Sequence, residues 1–550
     1  MKKYALGLDF GTLSVRALFL DLATGEEAAT TVFEYPHGVM RECLPDGTPL
    51  PENFALEHPQ DFLDGLEAVI PAGMKQLDIA PEQVVGIGVD ITSSTILPTD
   101  EAGEPLCLKK EFASRPQAWM KLWNHHGGLA EAARLQQVAE ERKEPWLACY
   151  GGWISSELFI PKAVEMAVKD PDAFEKTYNI LEAADWIVWR LTGNMTRSVT
   201  LAGCNSLYRL ETGYPSSDYF RAAYPEAEDL PNKLVGQMVR LGEVAGYLTE
   251  EMAQKLGLHP GTPVGTATVD SHAGVIGCGA ASVGDMVAVF GTSTNNMLNA
   301  SEGAGIPGIQ SSAMDANVPG LYGYEGGQNC VGDAFAWFVD NCVPKSYWDA
   351  AEREGKNIQV YLTEKASLLK PGESGLISLD WFNGVRAPLM DFSLTASILG
   401  LTIHTRPEEI YRALLEGTVF GNKRIIDTLE NAGHPVKRII ASGGIPLKNP
   451  LIMQIYADVC NRDIYLCGTT QGCALGSAIL GAAAAGKEYT NCDTFEELTR
   501  KYVKLSDVVY HPIPENVERY RLLYKEFVRL SEQMAQPDSV LRQLLKLKNN

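Results

Sequence analysis

One pattern occurs twice in the chain, and it limits the folds that the chain can adopt. An apolar strand, the triplet Phe-Gly-Thr, hydroxyl residues and a second strand follow one another in LGLDFGTLSVRALFLD at 6–21 and in MVAVFGTSTNNMLN at 286–299. Each copy predicts a β-hairpin with polar residues at its tip. The copies are about 280 residues apart, far beyond the repeat length of solenoids. The pattern therefore predicts two similar domains that face each other.

The two hairpin tips differ at the residue before Phe-Gly-Thr. Asp9 precedes Phe-Gly-Thr in the first copy, and Val289 takes its place in the second. A tip with glycine amides, hydroxyls and one carboxylate can bind phosphate and a hydrated metal ion. The alternative is that Asp9 and Thr12 only hydrogen-bond their own turn, as Asp and Thr often do. Taken alone, such a short motif favours the turn.

Further segments place both copies in α/β domains. A buried strand with a hydroxyl-rich end is predicted at 84–95, after a helix at about 59–77. In the second half a strand at 436–442 opens into a glycine loop, and another helix follows Pro450. The stretch ALGSAILGAAAAG at 474–486 is rich in Gly and Ala. We interpret it as a buried structural helix, because small residues allow close packing.

A long helix in the second half shows clear start and stop signals. Thr405 is predicted as its N-cap, Pro407 as its first-turn proline and Glu408 as its capping-box acid. Gly433 is predicted to close it.

Asp270 is the candidate catalytic residue. It lies in TATVDSHAGVIGCGA at 266–280, after an apolar segment and before a helix of small residues, where the two halves meet. An acid at a domain junction can act on a substrate held in the cleft. Ser271 and His272 are adjacent in the chain and would point in different directions, which argues against a hydrolase dyad.

The remaining motifs favour phosphoryl transfer without a standard nucleotide fingerprint. The chain has no G-x-x-x-x-G-K-[ST], and the pair Gly86-x-Gly88 in the strand at 84–95 lacks the third glycine of G-x-G-x-x-G, so neither a P-loop nor a Rossmann fingerprint at that strand is predicted. Two glycine-threonine tips, a third glycine loop and one cleft acid suit nucleotide-dependent phosphoryl transfer, in which one carboxylate accepts the proton of the attacking hydroxyl. Asp270 is the candidate base, and Asp9 the candidate for holding Mg²⁺ through water.

Composition limits the partners and the compartment. The 550 residues suffice for two large domains or three to four small ones. The 69 acidic and 47 basic residues give a net charge of −22, which argues against nucleic acid as a partner. Neither a signal peptide nor a membrane span is predicted, so a cytoplasmic location is expected. Eleven cysteines without C-x-x-C predict reduced structural thiols, and nine histidines without H-E-x-x-H predict surface or core histidines rather than metal ligands.

Several longer motifs in order resemble the FGGY carbohydrate kinases of the actin-like ATPase superfamily, and within them the ribulokinase-like members. The resemblance covers nearly the whole chain. The general kinase motifs are GLDFGT at 7–12, VDSHAG at 269–274, FGTST at 290–294 and SGGIPLKNP at 442–450. The motifs typical of ribulokinase-like members are EAADWIVWRLTGN at 182–194, GYEGGQNCVGDAFAWF at 323–338 and LDWFNGVRAPLMD at 379–391.

The resemblance implies an α/β fold of two actin-like (ribonuclease H-like) ATPase domains with a cleft between them. Residues 1–276 would form the sugar side and residues 277–550 the nucleotide side, with ATP, Mg²⁺ and a ketopentose in the cleft. Asp270 is then the catalytic base, and Asp9 lies near the metal. The residues implied around the nucleotide are Gly11, Thr12, Gly291, Thr292, Gly443, Gly444 and Asn449. Those implied for the sugar are Ser93, Ser94, Asn205, Asp270 and Glu325.

The same resemblance implies phosphorylation of L-ribulose to L-ribulose 5-phosphate, in L-arabinose catabolism. Ribulokinase-like members commonly carry lysine where this chain has Trp153 and Asn205, which leaves xylulose, D-ribulose or another polyol as alternatives. Glu325 could instead be an exposed loop acid. A nucleotide-operated switch of the actin and Hsp70 type is the competing class, but it needs no sugar-facing base such as Asp270. A homodimer is left open.

Overall fold

The opening hairpin joins β1 (Tyr4–Phe10) to β2 (Ser14–Asp21), and the computed structural model describes residues 2–549. The other strands up to residue 277 are β3 (Glu27–Glu34), β4 (Leu56–Glu57), β5 (Val84–Ile91), β6 (Ile96–Thr99), β7 (Met120–Lys121), β8 (Asn179–Glu182), β9 (Thr196–Ser198), β10 (Gln237–Val239), β11 (Val244–Tyr247), β12 (Pro263–Gly265) and β13 (Thr268–Val269). The helices in this part are α1 (Pro59–Leu77), α2 (Leu129–Arg142), α3 (Phe159–Lys169), α4 (Pro171–Lys176), α5 (Ala183–Thr192), α6 (Val199–Asn205), α7 (Ser217–Ala223), α8 (Glu250–Leu256) and α9 (Asp270–Gly277).

The second half begins with the second hairpin. Its strands are β14 (Asp285–Phe290), β15 (Thr294–Ala300), β16 (Ser311–Met314), β17 (Tyr322–Gln328), β18 (Ile377–Leu379), β19 (Ser397–Leu399), β20 (Arg438–Ser442), β21 (Ile464–Cys467) and β22 (Leu505–Tyr510). Its helices are α10 (Gly332–Cys342), α11 (Lys345–Arg353), α12 (Ile358–Ser367), α13 (Pro407–Asn431), α14 (Gly444–Lys448), α15 (Pro450–Cys460), α16 (Gly472–Ala485), α17 (Lys487–Thr490), α18 (Phe495–Tyr502), α19 (Pro514–Ala535) and α20 (Val540–Asn549).

The two hairpins occupy equivalent places in two sheets. The first sheet has the order β11-β12-β5-β1-β2-β3, and the second has the order β16-β17-β15-β14-β20-β21-β22. In the first, β1 is antiparallel to β2 and parallel to β5. In the second, β14 is antiparallel to β15 and parallel to β20. The repeat found in the sequence is thus a repeat of sheet topology, which confirms the two α/β halves.

Two helices cross between the halves, and each packs on the other half's sheet. Helix α9 ends the first half, yet its Val275 packs with Val287 and Ile440 of the second sheet. Helix α16 belongs to the second half, yet Ala478 packs with Ala5 and other core residues of the first sheet. The interpretation of α16 as a buried structural helix is confirmed. The division of the chain at 276/277 separates the strands of the two sheets. As a domain boundary it stays a prediction, because α16 of the second half packs on the first sheet.

Glycine lets these elements approach closely. A Cβ on Gly7 of β1 would lie 2.1 Å from the Ala474 carbonyl oxygen, and one on Gly476 would lie 1.8 Å from that of Ala273. No side chain larger than hydrogen fits at such distances, so glycine brings the two backbones into contact.

The start of α13 differs from the prediction by one residue. Arg406 is the N-cap, and its backbone N–H donates to the Glu409 carboxylate at 2.7 Å, so Glu409 rather than Glu408 is the acid that bonds back to the cap. Pro407 occupies the first helical position and makes the preceding residue the cap. Thr405 accepts instead from the Thr402 N–H.

A smaller sheet, β4-β7-β6-β8, lies in the first half and carries the segment that follows β5. Within residues 2–549, no helix combines the length and the apolar character needed to cross a membrane.

Candidate active site

A cavity of about 390 Å³ is lined by residues of both halves. It brings together all five residues predicted for the sugar and one from the first hairpin tip. The predicted residues that line it are Thr12, Ser93, Ser94, Asn205, Asp270 and Glu325, and Trp153 lines it as well. Further lining residues that the sequence did not predict include Trp123, Tyr150, His272, Asn295, Gln310 and Arg386.

Asp270 is the first residue of α9 and projects into this cavity. The N–H of Ser271 donates to its Oδ1 at 2.6 Å, an orientation that follows from its place in the first helical turn. The pKa of Asp270 is raised to about 7: burial is the largest cause, the Ser271 N–H opposes it, and the nearby charge of Asp9 adds to the rise. A carboxylate with a pKa near neutrality is suited to act as a general base.

Asp9 lies beside a second aspartate that the sequence analysis did not single out. In the parallel pairing of β1 with β5, Asp9 is opposite Asp90, and Arg16 Nη1 lies 3.0 Å from Asp9 Oδ2. Asp90 is fully buried, and its Oδ2 accepts from Ser477 Oγ of α16. Its Oδ1 has no hydrogen-bond partner among the residues that the structure describes. Burial and then the charge of Asp9 raise the pKa of Asp90.

Glu325 is not an exposed loop acid, because it lies in the middle of β17 and is held by neighbours on three sides. Asn295 Nδ2 donates to its Oε1 at 2.8 Å, Arg386 Nη2 lies 3.1 Å from Oε1, and His272 Nε2 lies 3.7 Å from Oε2. Burial alone would raise the pKa of Glu325, but His272 and Arg386 lower it to about 2. Glu325 is therefore a fixed carboxylate across the working pH range.

His272 is the counterpart of this fixed charge. Its Nδ1 lies 2.9 Å from the Ala316 carbonyl oxygen. Burial would lower its pKa, but Cys204 and Glu325 raise it to about 10. The imidazole is thus a buried cation in the cavity wall that orients Glu325.

The hydroxyl tip after β5 forms another part of the cavity wall. Ser93 Oγ donates to Asn205 Oδ1 at 3.0 Å. Ser94 has a left-handed backbone, with φ of 50°, and its side chain is buried. The carbonyl oxygen of Ser94 accepts from Lys162 Nζ at 2.8 Å. Of the two serines, Ser93 is the one whose side chain borders the cavity and is fixed there by its hydrogen bond to Asn205.

Each hairpin tip predicted for the nucleotide reaches a cavity through its threonine, and the glycine loop lies beside the second tip. Trp123 Nε1 donates to Thr12 Oγ1 at 3.2 Å, and Thr292 is exposed in an adjoining cavity of about 1010 Å³. Gly443 has φ of 99°, and a Cβ there would lie 2.3 Å from the Phe290 carbonyl oxygen. The β20 loop therefore rests against the end of β14, and only glycine allows it.

The other predicted nucleotide residues are placed less directly. Gly11 and Gly291 close their tips. The Gly11 N–H donates to the Ser14 carbonyl oxygen at 2.9 Å, and the Gly291 N–H donates to the Ser293 carbonyl oxygen at 2.8 Å. A Cβ on Gly444 would meet nothing within 4 Å, so its backbone is open to a ligand. Asn449 lines neither cavity.

Asn449 is engaged in the fold. Its Oδ1 accepts from Ile452 N and caps α15, and its Nδ2 lies 3.4 Å from both Thr363 Oγ1 and Tyr411 OH. It joins two helices, because its N–H also donates to the Ile445 carbonyl oxygen at 2.9 Å and ends α14, the helix that begins at Gly444.

Two matches to family models cover much of both halves. Residues 155–277 match the N-terminal domain of the FGGY family of carbohydrate kinases, and residues 286–485 match the C-terminal domain. The chain is 46% identical over 539 residues to the ribulokinase of Bacillus licheniformis, with 98% of each protein covered. It is 44% identical over 547 residues to the ribulokinase of Anoxybacillus flavithermus, with 99% of this chain and 97% of that protein covered. The chain belongs to the FGGY family of carbohydrate kinases.

Solved structures show the same fold for this carbohydrate kinase. The xylulose kinase from Rhodospirillum rubrum has a TM-score of 0.78 at 23% identity, with 97% of this chain and 99% of that chain covered. The gluconate kinase from Lactobacillus acidophilus has a TM-score of 0.79 at 19% identity, with 97% and 99% covered. The two-domain, actin-like α/β fold is confirmed. The kinase uses ATP and acts on a small sugar.

Proposed function

We propose that this kinase transfers the γ-phosphoryl group of ATP to a neutral ketopentose, L-ribulose first, and forms L-ribulose 5-phosphate. The observation that carries the proposal is the cavity between the halves, where Asp270 and Glu325 face a space of about 390 Å³. The ribulokinases that it resembles over nearly their full length support the choice of sugar.

The polar wall of the cavity includes several hydrogen-bond acceptors. Asp270 and Glu325 accept as carboxylates, and Tyr150 OH already donates to the Gly203 carbonyl oxygen at 2.6 Å, so it has only lone pairs left to offer. The wall also has two cations, Arg386 and His272, and both are engaged with Glu325. Sugar hydroxyls are donors that match such a wall, whereas a sugar carboxylate would face two like charges.

The proposed reaction follows from the state of Asp270. Its Oδ1 is held by the Ser271 N–H, which leaves Oδ2 to take the proton of the attacking sugar hydroxyl. As that hydroxyl oxygen bonds to the γ-phosphorus, the bond from this phosphorus to the leaving oxygen of ADP breaks. Glu325, Ser93 and Asn205 hold the remaining hydroxyls and fix the sugar against Asp270.

The carboxylates at the ends of β1 and β5 fit a magnesium ion. Mg²⁺ prefers oxygen ligands and keeps several of its waters, and the unpartnered Oδ1 of buried Asp90 lies next to Asp9 in register. Asp9 is proposed to hold the ion through water, with Asp90 beside it. When bound, Mg²⁺ would neutralise charge on the transferred phosphoryl group.

For the nucleotide we propose the backbone of three glycine-containing segments. Gly11 and Gly291 shape the two tips, Thr12 and Thr292 supply hydroxyls at them, and the loop at 443–444 supplies N–H groups suited to phosphate. Asn449 is proposed to position this loop through the cap of α15. Residues 1–276 would then be the sugar side and residues 277–550 the nucleotide side.

A neighbouring pentulose is the second candidate, because two cavity positions differ from the ribulokinase-like pattern. Trp153 is 42% exposed and its ring lies 6.1 Å from that of Phe392, so it presents an apolar face to the cavity. Asn205 is neutral and buried. Xylulose or D-ribulose, which differ from L-ribulose in hydroxyl orientation, are the sugars that such changes would favour. A homodimer and a cytoplasmic location stay predictions.

A substrate panel tests the proposal. ADP release is measured with L-ribulose, D-ribulose, xylulose and D-gluconate, each over a range of concentrations. We expect the highest kcat/KM with L-ribulose and a value lower by roughly 100-fold or more with gluconate, because like charges in contact cost several kcal/mol. Comparable values for gluconate and the pentuloses would contradict the proposal, and a higher value for xylulose or D-ribulose would replace L-ribulose by that sugar.

A further inference from the structure

Three side chains form a hydrogen-bonded chain from the cavity into the interior of the first half. Ser93 Oγ donates to Asn205 Oδ1 at 3.0 Å, and Asn205 Nδ2 donates to Glu182 Oε1 at 3.1 Å. Ser93 borders the cavity, while Asn205 and Glu182 are only 3% and 1% exposed. We name this chain the Ser93–Asn205–Glu182 relay.

The backbone around the relay fixes its three members. Glu182 is the last residue of β8, Asn205 is the last residue of α6, and Ser93 lies in the turn between β5 and β6. Each therefore comes from a different element, and each is held by the packing of that element. The relay is a contact between three elements, so a change at its buried end can alter the group at the cavity.

The direction of the relay decides what Ser93 can offer to a sugar. A serine hydroxyl has one proton, and Ser93 gives it to Asn205, so only its lone pairs remain for the cavity. The carboxamide of Asn205 is held in this orientation because its NH₂ faces an acceptor, Glu182 Oε1. The reversed carboxamide would place Oδ1 against that oxygen and leave two acceptors facing each other.

An ionised Glu182 enforces this direction, and a neutral Glu182 keeps it when its proton is on Oε2. Burial, and then the charge of Asp185, raise the pKa of Glu182 to about 8, so a neutral carboxyl is well populated near pH 7. The carbonyl oxygen of a neutral carboxyl still accepts a hydrogen bond. The second oxygen, Oε2, has no partner within residues 2–549 and can carry the proton.

We propose that Glu182 is a positioning residue for the sugar: through Asn205 it makes Ser93 a hydrogen-bond acceptor for one substrate hydroxyl. The inference rests on the proposed function, since it needs a sugar in the cavity. A buried residue that does not touch the substrate thus takes part in substrate selection. A sugar without a hydroxyl at that position leaves Ser93 unpaired and is disfavoured.

A matched pair of variants tests the role of Glu182. Glu182→Leu removes the acceptor, which frees the carboxamide of Asn205 to turn and lets the Ser93 hydroxyl point its proton into the cavity. We expect the KM for the sugar to rise on the order of tenfold, with kcat and the KM for ATP changed by less than about threefold. Glu182→Gln keeps a carbonyl oxygen facing Asn205, and we expect it to restore the sugar KM to within about threefold of the parent.

Three results would count against the role of Glu182. Equal losses in Glu182→Leu and Glu182→Gln would overturn the inference, because they would show that the charge rather than the acceptor matters. A fall in kcat with an unchanged sugar KM would also overturn it, since that pattern indicates damage to the fold or the chemistry. An unchanged sugar KM in Glu182→Leu would show that the relay has no effect.

A double-mutant cycle with Ser93→Ala tests the connection itself. If Glu182 acts through Ser93, then Glu182→Leu adds less than about twofold to the sugar KM once Ser93 is alanine. Additive effects would overturn the relay. The cycle uses whichever sugar the parent phosphorylates best. If that sugar is gluconate, the proposed function fails while the cycle still decides the relay.

Discussion

Asp270 and Glu325 line one cavity, yet their environments move their pKa values in opposite directions. Asp270 has no cation bonded to it among the described residues, and burial raises its pKa to about 7. Glu325 is held by His272, Arg386 and Asn295, which lower its pKa to about 2. A pair of this kind separates the roles of base and fixed anchor.

The raised pKa of Asp270 predicts a pH dependence. The base must be ionised to accept a proton, so kcat/KM is expected to fall as the pH drops below about 7 and to reach a plateau above it. The measurement is the pH profile of kcat/KM for the sugar between pH 5.5 and 9 at roughly constant ionic strength. A flat profile through pH 7 would contradict the role of Asp270.

The single carboxylate of Asp9 gives a prediction for the metal. Asp9→Asn keeps an oxygen but loses the charge, and we expect the Mg²⁺ concentration for half-maximal activity to rise roughly 10- to 100-fold, as for other groups that act beside a bound ion. The measurement is a magnesium titration at fixed ATP, with Ser14→Ala at the same tip as control. An unchanged titration would show that the first tip is only a turn.

Short motifs predicted the acids at strand ends but not their partners. Asp9 and Asp270 each follow an apolar run, and that local signal located both. Asp90 carries the same signal at the end of β5, so it could have been found. Arg386 could not, because it meets Glu325 from 61 positions away, and a single arginine in a loop has no local pattern that indicates its partner.

At the scale of elements, the crossing of α9 and α16 depends on the absence of side chains. Gly476→Ala would place a Cβ 1.8 Å from the Ala273 carbonyl oxygen, between two backbones that cannot yield easily. We expect a destabilisation of roughly 1–3 kcal/mol or more, measured as a lower Tm by calorimetry. Gly472→Ala in the same helix is the control, because its nearest contact would be 3.8 Å away. Equal Tm values for the two variants would contradict the close-packing account.

The sequence predicted α16 as a buried helix but not its position on the opposite sheet. Its Gly and Ala content indicates close packing and says nothing about which strand supplies the facing surface. The start of α13 was predicted one residue early for a related reason. Thr405 and Arg406 both precede Pro407, and only the backbone decides which of them caps the helix.

At the scale of the molecule, the cavity lies between two halves joined by crossed helices. Productive transfer needs water kept away from the γ-phosphate, so we expect the halves to close when sugar and nucleotide are both bound. Small-angle scattering should show a smaller radius of gyration with L-ribulose and a non-hydrolysable ATP analogue than with either ligand alone. The same radius in all three samples would contradict closure.

The central claim is that this kinase moves a phosphoryl group to a sugar with Asp270 as the base. The most direct measurement is ADP release with and without L-ribulose, in the parent and in Asp270→Asn, together with the Kd for ATP. The account predicts sugar-dependent release in the parent, a loss of about 10²–10⁴-fold in the variant, and an ATP Kd that is nearly the same in both. Sugar-independent release in the parent, or a variant that keeps its turnover on the sugar, would contradict it.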